Sequence, residues 1–415
     1  MTKFYQLTTS QRLQKLQEQG YLTASEVHLL QNSTALSETV GSHLIENYVG
    51  NFPLPLGLAN HFVINSQDYL IPMVTEEPSV IAAASNAAQR MAYSGGITTR
   101  VQRLGINGQI VFQGELPDHA EFLQQHQAVI YQVAKQAHPT LLEHGGGLQD
   151  IQLQTYPGYV EFNLLIDPAA AMGANVVNTI LEAVAHYLQQ QLPQLRLLMA
   201  ILSNHAPHQQ AFAQARIDFQ QLANEKMTGE LVAQRIVAAS DFAVLSPARA
   251  ATHNKGIMNG VIAASLATGN DIRNVSAAVY AGLDDRQPLL TSWQLQGQQL
   301  VGKIKLNLPI GSVGGAISTL PLAQLALKIL RQPTVADLMG IIASVGLASN
   351  LAALRALVTQ GIQAGHMHLQ WQSLALAAGA HANEIEQVVT YLDDHPQRAS
   401  LQGAQKFLQQ LRKDK

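Results

Sequence analysis

The chain has 415 residues, too many for one ordinary hydrophobic core, and this length predicts two or three domains. Hydrophobic residues make up 47% and charged residues only 13%, below the roughly 25% typical of soluble domains, which excludes a disordered polymer. The formal net charge of -3 gives no global attraction to nucleic acid, and the absence of cysteine excludes disulfides, thiolate metal sites and a cysteine nucleophile.

The predicted elements begin with a short N-terminal helix, for which Thr8-Thr9-Ser10-Gln11 offers a cap. Alternating apolar residues on both sides of Ser66-Gln67-Asp68 predict a β-hairpin. Pro78 then opens an Ala-rich helix that ends at Gly95. Glu77 is therefore expected at the N-terminus of that helix.

Residues from about 101 to 212 read as two strand–helix repeats, which predict a small α+β unit inserted into a larger one. The Gln-, His- and Pro-rich stretch SNHAPHQQAFAQA is interpreted as the return linker. The second half of the chain reads as helical, and its uncharged stretch Leu338–Leu354 predicts a buried helix rather than a membrane span. From about Val358 the Gln, His and charge content rises, which marks a C-terminal appendage.

Single motifs in this chain are weak indicators. The glycine of AMGANVVNT could receive a pyrophosphate at a helix N-terminus, but the GxGxxG fingerprint is absent. More specific is the joint order of eight motifs: ENYVG (46–50), EEPSVIAAAS (76–85), GGG (145–147), AMGANVVNT (171–179), HNKGIMNG (253–260), ATGND (267–271), GSVGGAIS (311–318) and GIQAGHM (361–367). Together they closely resemble the bacterial class II 3-hydroxy-3-methylglutaryl-CoA reductases, from about Leu44 to Ala382.

The resemblance implies an α+β fold with three parts. A large, mainly helical domain with a central helix and sheet segments would hold an inserted ferredoxin-like domain that binds the dinucleotide, and a helical flap would follow. The expected boundaries are 1–103 for the first part of the large domain with its N-terminal arm, 104–212 for the small NAD(P)-binding domain, 213–357 for the second part of the large domain and 358–415 for the flap.

The resemblance also implies the reduction of a thioester to an alcohol by two hydride transfers from NADPH or NADH, without a metal. Each hydride addition puts negative charge on a carbonyl oxygen, which a preorganised cation stabilises, and Lys255 matches the family's lysine for this role. Glu77 matches the family's acid, which protonates the alcohol oxygen. Asp271 matches the family's aspartate, which hydrogen-bonds to the lysine and to the glutamate. His366 matches the histidine that protonates the departing CoA thiolate.

Substrate and cofactor contacts follow from the same match. Arg249 would hold the free carboxylate of the substrate, and the other substrate contacts would come from Glu46, Asn47, Ser79, Asn254 and Asn259. The cofactor contacts would come from Met172, Gly173, Ala174 and Asn175. His138 and Thr140 stand where an NAD-specific relative has an acid, so they could donate to a 2′-phosphate and slightly favour NADPH. Ala170 replaces an acid that family members often carry before AMG.

Helix geometry bears on assembly. If residues 255–271 were one helix, sixteen steps of about 1.5 Å would separate the backbones of Lys255 and Asp271 by roughly 24 Å. The two side chains could meet only if the chain bends near Gly269 or if two subunits bring opposite helix ends together. The family forms dimers with shared sites, so a homodimer is expected, with a larger assembly left open.

Three alternatives to mevalonate synthesis remain at this point. The same residues could serve mevalonate oxidation, a non-catalytic acyl-CoA-binding paralogue could keep the fold, or the Ala- and Gly-rich chain could be a structural oligomer. For the leading interpretation, the expected ligands are hydroxymethylglutaryl-CoA, mevalonate and CoA. No nucleic-acid or membrane partner is expected, and the expected location is the cytoplasm.

Overall fold

The structure, a computed structural model, describes residues 3–32, 36–359, 361 and 371–413. Its first half comprises α1 (Thr9–Glu18), α2 (Ala24–Asn32), α3 (Glu38–Leu44), β1 (Leu56–Ile64), β2 (Gln67–Val74), α4 (Val80–Ala92), β3 (Ile97–Arg103), β4 (Ile106–Gln113), α5 (His119–Ala137), α6 (Pro139–Glu143), β5 (Gly147–Tyr156), β6 (Tyr159–Asp167), α7 (Ala174–Gln191), β7 (Arg196–Leu202) and β8 (Gln209–Asp218). The second half comprises α8 (Phe219–Leu222), α9 (Gly229–Leu245), α10 (Pro247–Ala267), α11 (Ile272–Ala281), β9 (Thr291–Gln296), β10 (Gln299–Asn307), α12 (Ala316–Thr319), α13 (Pro321–Ile329), α14 (Val335–Val358), α15 (371–377), α16 (Ile385–Asp394) and α17 (Leu401–Lys413).

Local sequence signals set the first elements as predicted. The Thr8 hydroxyl accepts a hydrogen bond from the Gln11 N–H, and the Gln11 side chain accepts one from the Thr8 N–H, so α1 begins with a capping box. The predicted hairpin is β1–β2, and its two turn residues, Asn65 and Ser66, both have positive φ angles. The Ala-rich helix is α4, but it begins at Val80 and not at Pro78 as predicted, because Ser79 takes a left-handed conformation that interrupts the helix.

The large sheet has the strand order β2-β1-β3-β8-β10-β9. The interpretation of SNHAPHQQAFAQA as a linker is wrong. Its QQAFAQA part belongs to β8, the fourth strand of this sheet, which pairs with β3 and β10. Ala211, Ala213 and Ala215 of β8 are buried at every second position. Small side chains on the inner face let α14 pack closely against this strand, which gives β8 a composition unlike that of an ordinary strand. The sequence analysis predicted only helices in the second half of the chain, so it also missed the β9–β10 hairpin.

The inserted segment forms the expected ferredoxin-like unit. Its antiparallel sheet has the order β5-β6-β4-β7, and the chain order of its elements is β-α-β-β-α-β with the small helix α6 added before β5. The helices α5 and α7 pack together and against this sheet around a hydrophobic cluster of its own, which includes Phe112, Phe162 and Ile180. This packing leaves the N-terminus of α7 directed toward the junction with the large domain, where Gly311 lies against Met172.

The central helix is α14, as the uncharged stretch predicts. Among the described residues it is the single helix long and apolar enough to cross a membrane, and 67% of its most apolar window is buried within the chain. It packs against α4, α9 and α10 and against strands β3, β8 and β10. Residues 371–411 contribute a separate small hydrophobic cluster that includes Trp371, Val388 and Leu408.

Candidate active site

An acid–ammonium pair forms where α10 passes the turn between β2 and α4. Glu77 lies in this turn, and Lys255 and Asn259 are one helical turn apart on α10, so both reach the same carboxylate. Lys255 Nζ and Asn259 Nδ2 each lie 3.2 Å from Glu77 Oε2 and donate to it. Three of the predicted site residues therefore meet within one chain.

The pair lies at the surface of the chain. The Lys255 side chain is 62% exposed and the Glu77 side chain 40% exposed. A salt bridge this exposed contributes little to folding stability, typically about 0–1 kcal/mol, because water screens both charges. The pair therefore contributes little to holding the fold together, and both side chains are accessible from solvent.

Backbone strain occurs next to the pair. Ser79 has a φ of 70° and a ψ of -14°, the left-handed conformation, immediately before α4 begins. Its hydroxyl donates to the Pro78 carbonyl, and no side-chain hydrogen bond caps the helix. A non-glycine residue in such a conformation costs of order 1–3 kcal/mol, and such residues cluster at functional sites.

The first turns of α10 place Arg249 beside a buried histidine. Ser246 caps this helix by accepting from the Arg249 N–H at 3.3 Å, and the Arg249 side chain is half-buried. His253, one turn later, is only 2% exposed. Its Nε2 lies 2.7 Å from Thr291 Oγ1 and 3.1 Å from Asn350 Nδ2. Burial, together with the charge of Arg249, lowers the pKa of His253 to about 4.

Asn254 does not join the acid–ammonium pair. It is buried, its Nδ2 donates to the Pro288 carbonyl at 2.8 Å, and its Oδ1 accepts from the Leu290 N–H at 3.2 Å. Both ends of the amide therefore tie α10 to the segment before β9. Sequence reasoning missed this connection because the partners lie more than thirty positions away.

Asp271 lies apart from Glu77 and Lys255. The helix α10 continues to Ala267, and the chain turns at Gly269, whose φ is 72°. Asp271 then caps α11, and its Oδ2 lies 2.8 Å from Arg273 Nη2. Burial raises the pKa of Asp271, but hydrogen bonds from Arg273 and from the Asn274 N–H outweigh it and hold that pKa below its usual value.

Two further predictions concern other segments. Glu46 and Asn47 are exposed in a stretch that also exposes Val49 fully and Phe52 by 88%. His366 lies outside the described residues. One chain thus assembles part of the predicted site and leaves an apolar surface beside the segment expected to bind the thioester.

Four of the predicted cofactor residues lie at the N-terminus of α7. Gly173 precedes this helix with a φ of 107°, no side chain caps the helix, and a Cβ at Gly173 would lie 2.6 Å from Pro168 Cβ. The free N–H groups of an 18-residue helix and its dipole favour a pyrophosphate there. Ala174 and Asn175 begin the helix, and Met172 precedes it. These features fit a dinucleotide.

His138 and Thr140 lie together at the junction of α5 and α6, with Thr140 Oγ1 3.4 Å from His138 Nδ1. His138 lines a cavity of about 270 Å³ that also contains Lys135, Gly147 and Ile180. Sequence reasoning did not single out Lys135, which lies in the last turn of α5 and lines the same cavity as His138. The described residues contain no cluster of three or more His, Cys, Asp or Glu side chains that could hold a metal ion.

Known proteins resemble this chain over nearly its whole length. The family model for hydroxymethylglutaryl-coenzyme A reductase matches residues 8–371. The 3-hydroxy-3-methylglutaryl-coenzyme A reductase of Archaeoglobus fulgidus is 42% identical over 395 residues, covering 93% of this chain and 89% of that relative. A probable 3-hydroxy-3-methylglutaryl-coenzyme A reductase of Borreliella burgdorferi is 33% identical over 331 residues, covering 79% and 76% of the two chains.

Solved structures give the same result. The 3-hydroxy-3-methylglutaryl-coenzyme A reductase of Streptococcus pneumoniae superposes with a TM-score of 0.82 at 39% identity, covering 98% of this chain and 99% of that one. A structure of the class II enzyme from the same organism bound to NADPH in open conformations has a TM-score of 0.81 at 38% identity and covers 86% and 99% of the two chains. Fold, site and likeness together define an NAD(P)H-dependent oxidoreductase. Within that class, the chain belongs to the hydroxymethylglutaryl-coenzyme A reductase family.

Proposed function

We propose that this chain reduces (S)-3-hydroxy-3-methylglutaryl-CoA to (R)-mevalonate and CoA, consuming two NAD(P)H and two protons. The observation that carries the proposal is the contact of Glu77 with Lys255 and Asn259. Oxyanion formation needs a cation at the carbonyl oxygen, and alcohol formation needs an acid beside it. Lys255 supplies the first and Glu77 the second, while the Asn259 amide orients the carboxyl group.

The substrate would extend from this pair along α10. Arg249 lies six residues before Lys255 on the same helix and offers a guanidinium to the free carboxylate. Ser79 stands beside Glu77 in its strained turn and offers a hydroxyl to the acyl group. We assign Glu46 and Asn47 to recognition of the CoA thioester. We assign His366 to protonation of the CoA thiolate. Asn254 would hold α10 in place.

The cofactor would lie on α7. The nicotinamide cofactor supplies hydride when it is bound. Gly173, Ala174 and Asn175 would hold its pyrophosphate at the helix N-terminus, with Met172 packed beside it. Lys135 and His138 would attract a 2′-phosphate, which favours NADPH.

A complete site needs a second subunit. Asp271 is held by Arg273 in its own chain and lies past the end of α10, so we assign it to the pair of a partner subunit. A partner packed over the exposed pair would also exclude water from it and cover the apolar stretch near Val49. Homodimers with shared sites follow, and such dimers could assemble further.

The domain division and cellular setting are part of the same proposal. We assign 1–103 and 213–357 to the large domain, 104–212 to the small domain and 358–415 to the flap. Strand β8 begins at Gln209, four residues before the second part of the large domain. The near-neutral charge supports an enzyme without a nucleic-acid partner. The burial of α14 supports one without a membrane span, and we place the enzyme in the cytoplasm.

The proposal is tested by following nicotinamide absorbance with hydroxymethylglutaryl-CoA and each cofactor, and with mevalonate, CoA and each oxidised cofactor. Two nicotinamides oxidised for each acyl-CoA would support it, and the faster direction would indicate synthesis or catabolism. Acyl-CoA binding without any change in absorbance would contradict it and indicate a non-catalytic paralogue.

A further inference from the structure

The loop that leads into α7 rests on the large domain at several points. Ser312 N–H donates to the Ala170 carbonyl at 3.0 Å, and Ala171 forms an isolated parallel bridge with Val313. A Cβ at Gly311 would collide with the Met172 nitrogen and lie 2.8 Å from the Ala171 carbonyl carbon. The backbone at Gly311 therefore touches the loop proposed to hold the cofactor, without space for a side chain.

The opposite side of Gly311 is held by a single buried amide. The Gly311 N–H donates to Asn270 Oδ1 at 2.9 Å, and Asn270 Nδ2 donates to the Gly311 carbonyl at 3.1 Å. The same Nδ2 donates to Thr268 Oγ1 at 3.1 Å, and this hydroxyl donates to the Ala264 carbonyl in the last turn of α10. Asn270 is 6% exposed, so its bonds to Gly311 are shielded from water.

Asn270 directly precedes Asp271, the residue proposed to complete the acid–ammonium pair. The Asp271 carboxylate and the amide that fixes the support of the cofactor loop thus belong to adjacent residues. A second connection runs in parallel, because Asn274 Nδ2 donates to the Pro309 carbonyl at 3.1 Å. A shift of the Gly311 backbone would move the start of α7 relative to Asp271, because no side chain lies between Gly311 and Met172 to absorb it.

We propose that Asn270 is a positioning residue that sets the cofactor loop at a fixed distance from Asp271. This inference rests on the proposed function of the α7 N-terminus in cofactor binding. Asn270 touches neither substrate nor cofactor and acts through Gly311. Its loss should therefore weaken cofactor binding and hydride transfer while it leaves acyl-CoA binding on α10 intact.

The test compares Asn270→Ala with Asn224→Ala. Asn224 is a matched control because its Oδ1 also accepts two backbone bonds, from Lys226 and Met227, within one local turn. The measurements are the Kd of NADPH from fluorescence titration, the Kd of hydroxymethylglutaryl-CoA, and the single-turnover rate with both bound. For Asn270→Ala we expect the NADPH Kd to rise about tenfold and the single-turnover rate to fall, with less than a twofold change for the acyl-CoA. Asn224→Ala should change none of the three.

Two outcomes would overturn the inference: an unchanged NADPH Kd in Asn270→Ala, or an equal loss of affinity for both ligands. If this variant does not fold, Asn270→Ser is titrated instead, because a serine is too short to span both polar groups of Gly311 and should give the same selective loss. Failure of the proposed function is a separate result, since it would appear as wild-type protein without turnover, whereas the NADPH titration still compares the variants.

Discussion

Lys255 Nζ lies 3.2 Å from Glu77 Oε2, although the two residues are 178 positions apart in the chain. The contact joins the centre of one helix to the turn before another, and Asn259 donates to the same oxygen. A cation and an amide on one carboxylate oxygen would fix the direction of the acid before substrate arrives, so little reorganisation would be needed during the reaction.

The first prediction concerns the acid. Glu77→Gln keeps the shape of the side chain and an acceptor oxygen but removes the proton that the alkoxide needs. We expect turnover to fall at least about 100-fold while the Kd of hydroxymethylglutaryl-CoA changes less than about threefold. Steady-state kinetics and acyl-CoA titration measure the two quantities, and near-wild-type turnover would refute the assignment of Glu77 as the acid.

The second prediction concerns the cofactor. Because Lys135 and His138 share a cavity wall, kcat/KM for NADPH should at least equal that for NADH. Lys135→Gln should lower the NADPH value and leave the NADH value nearly unchanged, since only NADPH carries the 2′-phosphate. A wild-type preference for NADH of more than about tenfold, roughly 1.4 kcal/mol, would contradict this assignment.

The third prediction concerns stability and pH. His253 has a pKa of about 4 in the folded chain against an ordinary value of 6.5, so the unfolded chain binds the proton more readily. The contribution of His253 is therefore fully present above pH 6.5 and is lost as the pH falls toward 4. Between pH 7.5 and pH 5 the loss should be about 2 kcal/mol.

Urea unfolding at both pH values measures this loss. His253→Gln should remove the His253 part of the pH dependence, although it should also lower stability at pH 7.5 because the bond network with Thr291 and Asn350 is disturbed. The exposed residue His43 provides the control, and His43→Gln should keep the wild-type pH dependence. If wild type and His253→Gln lose the same free energy of unfolding between pH 7.5 and pH 5, burial of His253 does not cause the loss.

The sequence predicted those parts of the fold that depend on local signals. The Thr8 cap and the hairpin turn at Ser66 each act over a few residues. The buried amide of Asn254 and the β8 strand depend on partners far away in the chain, and no local pattern shows which partner will be present. For the site, the order of the motifs supplied long-range information that single motifs lack. The structure brings three of the residues selected in this way into contact, Glu77, Lys255 and Asn259.

The fourth prediction concerns the flap. Residues 371–411 contain their own hydrophobic cluster, with Trp371 and Leu408 among its buried members. Truncation after Thr359 should therefore leave the melting temperature of the remaining chain within a few degrees of the wild-type value. It should abolish turnover, because His366 is removed. A loss of folded protein in circular dichroism would show instead that the flap is part of the main core.

The last prediction tests whether the site is shared between subunits. From Lys255 to Ala267, α10 is helical, and twelve steps of about 1.5 Å separate these backbones by about 18 Å before the chain turns at Gly269. Lys255 therefore pairs with Glu77 of its own chain, whereas Asp271 would serve the partner. In a mixed dimer of Lys255→Ala and Asp271→Ala subunits, one site would contain both defects and the other would be intact.

Random mixing makes half of the dimers mixed, and each would hold one intact site, so about a quarter of wild-type activity should return. The control is a mixture of Lys255→Ala and Glu77→Gln subunits. Because Glu77 and Lys255 contact each other within one chain, both sites of that mixed dimer carry a defect, and no activity should return. Purification through two different tags verifies that mixed dimers are present. If the first mixture then stays inactive, Lys255 and Asp271 act within one chain, and α10 must bend when substrate binds.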